Sequence, residues 1–182
     1  MKPAVGLVEL DSIAVGFAVA DLMVKKAPVT VVEASPICPG KYLILVTGDE
    51  ASVAEAVDSG INYAPERVVD KTVIPNLHPG VVPAIAGVSE IGELVSLGVV
   101  EVFAVATAIR AADAAVKEAE VSLIEIRVAS GLGGKCYFTL TGELPSVEAA
   151  VAAGANLARE EGMLLSRVVI PAPHRDLREI IG

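Results

Sequence analysis

Tryptophan is absent from this 182-residue sequence, and phenylalanine and tyrosine supply only three residues each. Aromatics make up 3% of a chain that is 53% hydrophobic, so its apolar content is Ala, Val, Ile and Leu. Long apolar runs are lacking too. The longest uncharged stretch, Thr72 to Ser89, is broken by Pro75, Asn76, His78, Pro79, Gly80 and Pro83, which would leave backbone groups unpaired in lipid, so no membrane-spanning helix is expected. Positive charge is scarce: 14 Lys and Arg stand against 23 Asp and Glu, for a net charge of -9. The basic residues are scattered, which argues against a nucleic-acid partner, since binding a phosphate backbone needs them clustered. Cysteine occurs twice, at Cys38 and Cys136. With the two far apart and no secretion signal ahead of the strand-like Ala4 to Glu9, a cytosolic protein without a structural disulfide is expected. Ser-His-Asp spacing, a Gly-rich phosphate loop placed after a strand and a His-carboxylate cluster are all missing, so the sequence does not read as an enzyme.

What is present is an apolar surplus, with a mean hydropathy of +0.63. In a chain with no membrane signal it is best placed at subunit interfaces, because obligate interfaces resemble a domain core cut in half. An oligomer is expected.

The sequence is also a duplication. At an offset of 92, Gly6-Leu-Val-Glu9 answers Gly98-Val-Val-Glu101, Ala20-Asp21 answers Ala112-Asp113, and Val24-Lys25 answers Val116-Lys117. At 94, Gly40-Lys41 pairs with Gly134-Lys135, Thr47-Gly48 with Thr141-Gly142, and Gly60 with Gly154; at 96, Ile74-Pro75 pairs with Ile170-Pro171 and His78 with His174. Shifts of two residues are loop insertions, which flanking elements tolerate. Two copies of one fold are therefore expected, over residues 1–90 and 91–182, joined through Pro79 to Leu97.

Within the first copy, Ala4 to Leu10 reads as a strand, and Ser12 caps a helix whose apolar positions Ile13, Phe17, Ala20 and Val24 follow helical spacing until Pro28. Val29 to Ala34 and Lys41 to Thr47 read as strands, Ala51 to Ser59 as a helix stopped at Gly60, and Val68 to Ile74 as the last strand. The order β-α-β-β-α-β predicts an α+β, ferredoxin-like fold, an antiparallel sheet with helices on one face, built twice.

Gly6-Leu-Val-Glu9, Ala20-Asp21 with Val24-Lys25, Pro39-Gly40-Lys41 and Ile170-Pro-Ala-Pro-His174 resemble the landmarks of bacterial microcompartment shell (BMC) domains, twice over and in unpermuted order. Single-domain members of that family form flat hexamers, so the resemblance implies a tandem-domain, pseudohexameric homotrimer around one pore. Cyclic closure of two similar wedges in three copies agrees with it. The implied partners are other shell proteins at the tile edges and a redox enzyme in the lumen; the implied location is a microcompartment shell within the cytoplasm.

In this family the loop between the second and third strands lines the pore, which here means Ser35 to Gly40 and Ala129 to Gly134. The second, with Ser130, Gly131, Leu132, Gly133 and Gly134, is small and flexible. The first holds Cys38 between Pro36-Ile37 and Pro39-Gly40, where proline stiffens the backbone. Ile37-Cys-Pro-Gly-Lys41 resembles the pore loop of the tandem shell proteins of propanediol-utilisation compartments, whose matching cysteine binds an iron-sulfur cluster on the threefold axis. The resemblance implies one 4Fe-4S cluster per trimer, held by three Cys38 thiolates with one iron left for a non-protein ligand, and a role in electron transport across the shell. Cys136, inside a strand, reads as a small apolar residue.

Lys25 and Lys117 match the family's tile-edge lysine. The arginine of the family's Pro-Arg-Pro-His motif is replaced by Ala172, and by Asn76 in the first copy. His78 and His174 read as structural turn residues. Two other functions fit the same pattern: a shell pore for metabolites without a cluster, and a ferredoxin-like regulator that binds a small molecule.

Overall fold

A computed structural model of the chain describes residues 3–90, 92–129 and 131–181. The chain divides between Pro79 and Gly80 into two compact units, each with its own four-stranded antiparallel sheet.

The first unit runs β1 (Ala4–Leu10), α1 (Ile13–Lys26), β2 (Thr30–Ile37), β3 (Lys41–Gly48), α2 (Glu50–Tyr63), a 3-10 turn (Pro65–Arg67) and β4 (Val68–Ile74). Its strand order, β2-β3-β1-β4, is that of the split β-α-β motif anticipated from the sequence. Ser12 caps α1 by accepting from the Val15 amide at 3.4 Å, and Asp49 caps α2 by accepting from the Ser52 amide at 3.0 Å. Such caps contribute about 1 kcal/mol each. Both helices lie on the sheet face that carries Val8, Leu10, Tyr42, Ile44 and Val46.

Two expectations for this unit need correcting. The helical face that packs on the sheet is Gly16, Val19 and Met23, whereas Ile13, Phe17 and Val24 are exposed, Phe17 at 62%. α1 is apolar on more than one side, so spacing alone could not choose the buried side. Gly60 does not stop α2, which continues to Tyr63. A Cβ there would stand 3.0 Å from Met23 and Val19, so this glycine lets α2 approach α1.

The second unit runs α3 (Val81–Ala86), β5 (Ser96–Val102), α4 (Val105–Glu118), β6 (Ser122–Arg127), β7 (Cys136–Gly142), α5 (Leu144–Glu160), β8 (Leu164–Pro171) and α6 (Arg175–Ile181). The strand order β6-β7-β5-β8 repeats the first sheet. Gly98 faces Val147 and Val151 of α5, so Leu97 points to the opposite face. There Leu97 clusters with Leu94 and Ile124, and Leu177 and Ile181 of α6 pack on them. The second sheet thus has helices on both faces, which the duplicated pattern did not predict, and α3 lies within what was expected to be a plain connection.

Cores diverge in compensating pairs. Tyr42 fills the space left by Gly16, where a Cβ would stand 2.3 Å from the ring. The matching residues of the second unit are Cys136 and Ala108, both buried. Loss of the tyrosine ring leaves room for the alanine methyl, which fits Cys136 as a packing residue.

Candidate functional site

The two hairpin connections expected at the pore are built differently. β2 extends to Ile37, with Pro36 opposite Tyr42 and Ile37 opposite Lys41, so Ser35, Pro36 and Ile37 are strand residues and the connection shrinks to Cys38, Pro39 and Gly40. Pro36 is tolerated because β2 lies at the sheet edge, where a missing N–H need not break a ladder. The turn closes with the Gly40 amide donating to the Ile37 carbonyl at 2.9 Å. Cys38–Pro39 is cis and Gly40 has a φ of 82°, the left-handed region that glycine enters without penalty. Ile37 is buried, Cys38 is half-buried, and Pro36, Pro39 and Gly40 are exposed.

The second connection is longer, running from β6, which ends at Arg127, to β7, which begins at Cys136. Gly131, Gly133 and Gly134 have positive φ, as does Ala129 at 43°. The Lys135 amide donates to the Leu132 carbonyl at 3.2 Å. Ser130 lies outside the described residues. Cys136 is buried on β7 and no disulfide joins it to Cys38.

At the root of each connection a lysine reaches a carboxylate on the central strand. Lys41 pairs with Glu9, and Lys135 with Glu101 at 3.3 Å. These pairs were not singled out from the sequence, although both partners sit in the repeated Gly-Leu-Val-Glu and Gly-Lys segments; the signal was the repetition of both charges. Beside the second connection, Arg127 Nε donates to Glu125 at 2.7 Å, and the Tyr137 hydroxyl donates to the same carboxylate at 2.9 Å. Burial and then Glu125 push the Tyr137 hydroxyl above its ordinary range, and the Glu125 hydrogen bond holds the Arg127 guanidinium more firmly protonated. In the first unit these positions are Ser35 and Leu43, so the polar network belongs to the second alone.

The expected edge lysines end equivalent helices. Lys25 is paired with Asp21 at 2.6 Å and strongly exposed, whereas Lys117 reaches a largely buried Asp113 and is itself less exposed. Both are i,i+4 pairs with the acid nearer the amino terminus, the favourable order. His174 precedes α6 and accepts from the Asp176 amide at 3.3 Å, a turn role. Among the described residues no three His, Cys, Asp or Glu side chains converge as a metal-ligand group.

The pattern of the BMC domain matches residues 4–77 and again 96–173. The chain belongs to the BMC domain family, with two such domains in tandem. It is a structural shell protein of a bacterial microcompartment, built on a ferredoxin-like fold used twice. It is 41% identical over 177 residues to the bacterial microcompartment shell protein PduT of Citrobacter freundii, an alignment covering 97% of this chain and 96% of that protein. The shell protein EutM of Salmonella typhimurium is 39% identical over 85 residues, covering 47% of this chain and 86% of EutM. Among solved structures, a microcompartments protein from Desulfitobacterium hafniense DCB superposes with a TM-score of 0.96 at 46% identity, covering 98% of this chain and 99% of that one.

Proposed function

We propose that this shell protein is a homotrimeric tile, not an enzyme, in which three Cys38 side chains hold one 4Fe-4S cluster that passes electrons through the shell. The observation that carries the reading is the position of Cys38: a half-buried thiol at the tip of a three-residue turn, in the connection that corresponds to the pore loop. Thiolates are the donors iron-sulfur clusters take, and one chain offers one at this place. Three copies related by symmetry supply three, and the fourth iron keeps an exchangeable ligand.

Trimer formation is supported by a difference between matching helices. Ile13 and Phe17 of α1 are exposed, while their counterparts Val105 and Ile109 of α4 are buried within the chain. The exposed pair on α1 is an apolar surface of the kind that a subunit interface covers. Beyond the tile, its neighbours are other shell proteins at the edges, and a luminal redox enzyme takes or supplies the electrons.

Anaerobically purified protein should run as three chains by native mass and contain about four irons and four sulfides per trimer. Cys38→Ser should keep the trimer and lose the iron, because a hydroxyl is a poor ligand for such clusters, while Cys136→Ser keeps both. Iron retained in Cys38→Ser, or never present in wild type, sinks the cluster and leaves a metabolite pore; a stable monomer sinks the tile.

A further inference from the structure

We infer that Glu9 and Lys41 are electrostatic positioning residues for the group held at Cys38, tuning how readily it accepts an electron; this rests on the reading of Cys38 as a cluster ligand. Lys41 faces Ile37 on the rung that closes the cysteine turn, so its backbone is fixed immediately beneath Cys38. Its ammonium is held by Glu9 of the central strand β1. The Glu9 side chain is only 5% exposed and that of Lys41 28%. A carboxyl group so withdrawn from water is costly to bury without a partner, and Lys41 is that partner.

The second unit supplies the contrast. Glu101 and Lys135 occupy the same places beneath the connection that has no cysteine, but they stand 3.3 Å apart with side chains 33% and 47% exposed. Water screens that pair, whereas the enclosed pair under Cys38 acts through a medium of lower dielectric and is felt over a longer reach. Three copies around one cluster add their effects.

Reduction places one extra negative charge on a cluster, and nearby charge is among the factors that set its potential. The lysine favours the reduced form and the glutamate the oxidised form, so removing each must move the midpoint in opposite directions. Neither residue needs to touch the cluster.

The test is a redox titration of the cluster-loaded trimer, with dithionite as electron donor and electron paramagnetic resonance as readout. Glu9→Gln should raise the midpoint potential, Lys41→Gln should lower it, and Glu9→Gln with Lys41→Gln should return it close to wild type. Glu101→Gln should shift it less than Glu9→Gln. If Lys41→Gln fails to assemble, the sign and size of the Glu9→Gln shift against Glu101→Gln still decide. Shifts of the same sign in both single variants, or none, overturn the inference while the cluster stands; wild-type trimer without iron overturns the cluster reading itself.

Discussion

Arg110 on α4 meets Glu161, the residue that caps the end of α5, through two parallel hydrogen bonds, with Nε on one carboxylate oxygen and Nη2 on the other, each 2.9 Å. Thr107 donates to the same carboxylate. The guanidinium hydrogen bond is the main reason the Glu161 carboxyl is held below its usual range; burial opposes it.

A carboxylate with a depressed folded pKa stabilises the protein above its unfolded value, about 4, and this contribution is lost as pH falls through the folded value. Glu161→Gln should therefore cost about 1 kcal/mol or less near neutral pH, since the pair is partly exposed, and the cost should vanish once the pH has fallen below the folded value. Urea denaturation at several pH values reads this out. A cost independent of pH would mean that packing, not charge, is responsible.

The Gly16–Tyr42 fit predicts that Gly16→Ala alone is destabilising by about 1–3 kcal/mol, the usual range for overpacking. Introducing the second unit's pair, Gly16→Ala with Tyr42→Cys, should recover part of that loss because the methyl gains room, although the Tyr42 hydrogen bond to the Ala34 carbonyl is given up. A double-mutant cycle in chemical denaturation would show the coupling. Additive costs would mean that the two residues are independent.

Phe17→Glu should dissociate the proposed trimer without unfolding the chain. The ring is exposed apart from its tilted contact with Tyr42 at 5.0 Å, so a charge costs little in the monomer and much at a dry interface. Native mass should move from three chains to one while the far-ultraviolet circular dichroism holds. An unchanged trimer would place the ring interface elsewhere.

If Lys25 is the tile-edge lysine that the family resemblance implies, Lys25→Glu should impair side-by-side assembly and spare the proposed trimer. Lys117→Glu should do so less cleanly, because it also sets a carboxylate against the largely buried Asp113. Electron microscopy of sheets, paired with native mass of the dissolved tiles, separates the effects. Ordered sheets from Lys25→Glu as readily as from wild type would remove that lysine from the edge.

The duplication and strand order were legible because identical residues recur at three fixed offsets and the strands are β-branched runs between turn residues. The buried side of α1 was not, since Ile13, Phe17 and Val24 compete with Val19 and Met23 for the same label. Pro36 disguised the end of β2 as a loop, because a sequence does not announce that a strand is at the edge. Gly60 looked like a helix stop, though its role depends on Met23 lying across from it. The Glu9–Lys41 pair joins residues on two strands, and only the register brings them together. Cys38 stood out in the sequence by its two prolines and by the resemblance of Ile37-Cys-Pro-Gly-Lys41 to a known pore loop, whereas its place at the tip of a three-residue turn needed the fold.

The unequal hairpin connections are something that a chain with one domain could not encode. In a ring of six identical subunits, any cysteine at the turn appears six times, more than the four thiolates a cubane can bind. Two domains in one chain lift that constraint: one repeat carries a three-residue turn with a cysteine, and the other a longer connection rich in glycine. In a tandem chain a substitution appears at half the copy number that a ring of single-domain subunits would impose.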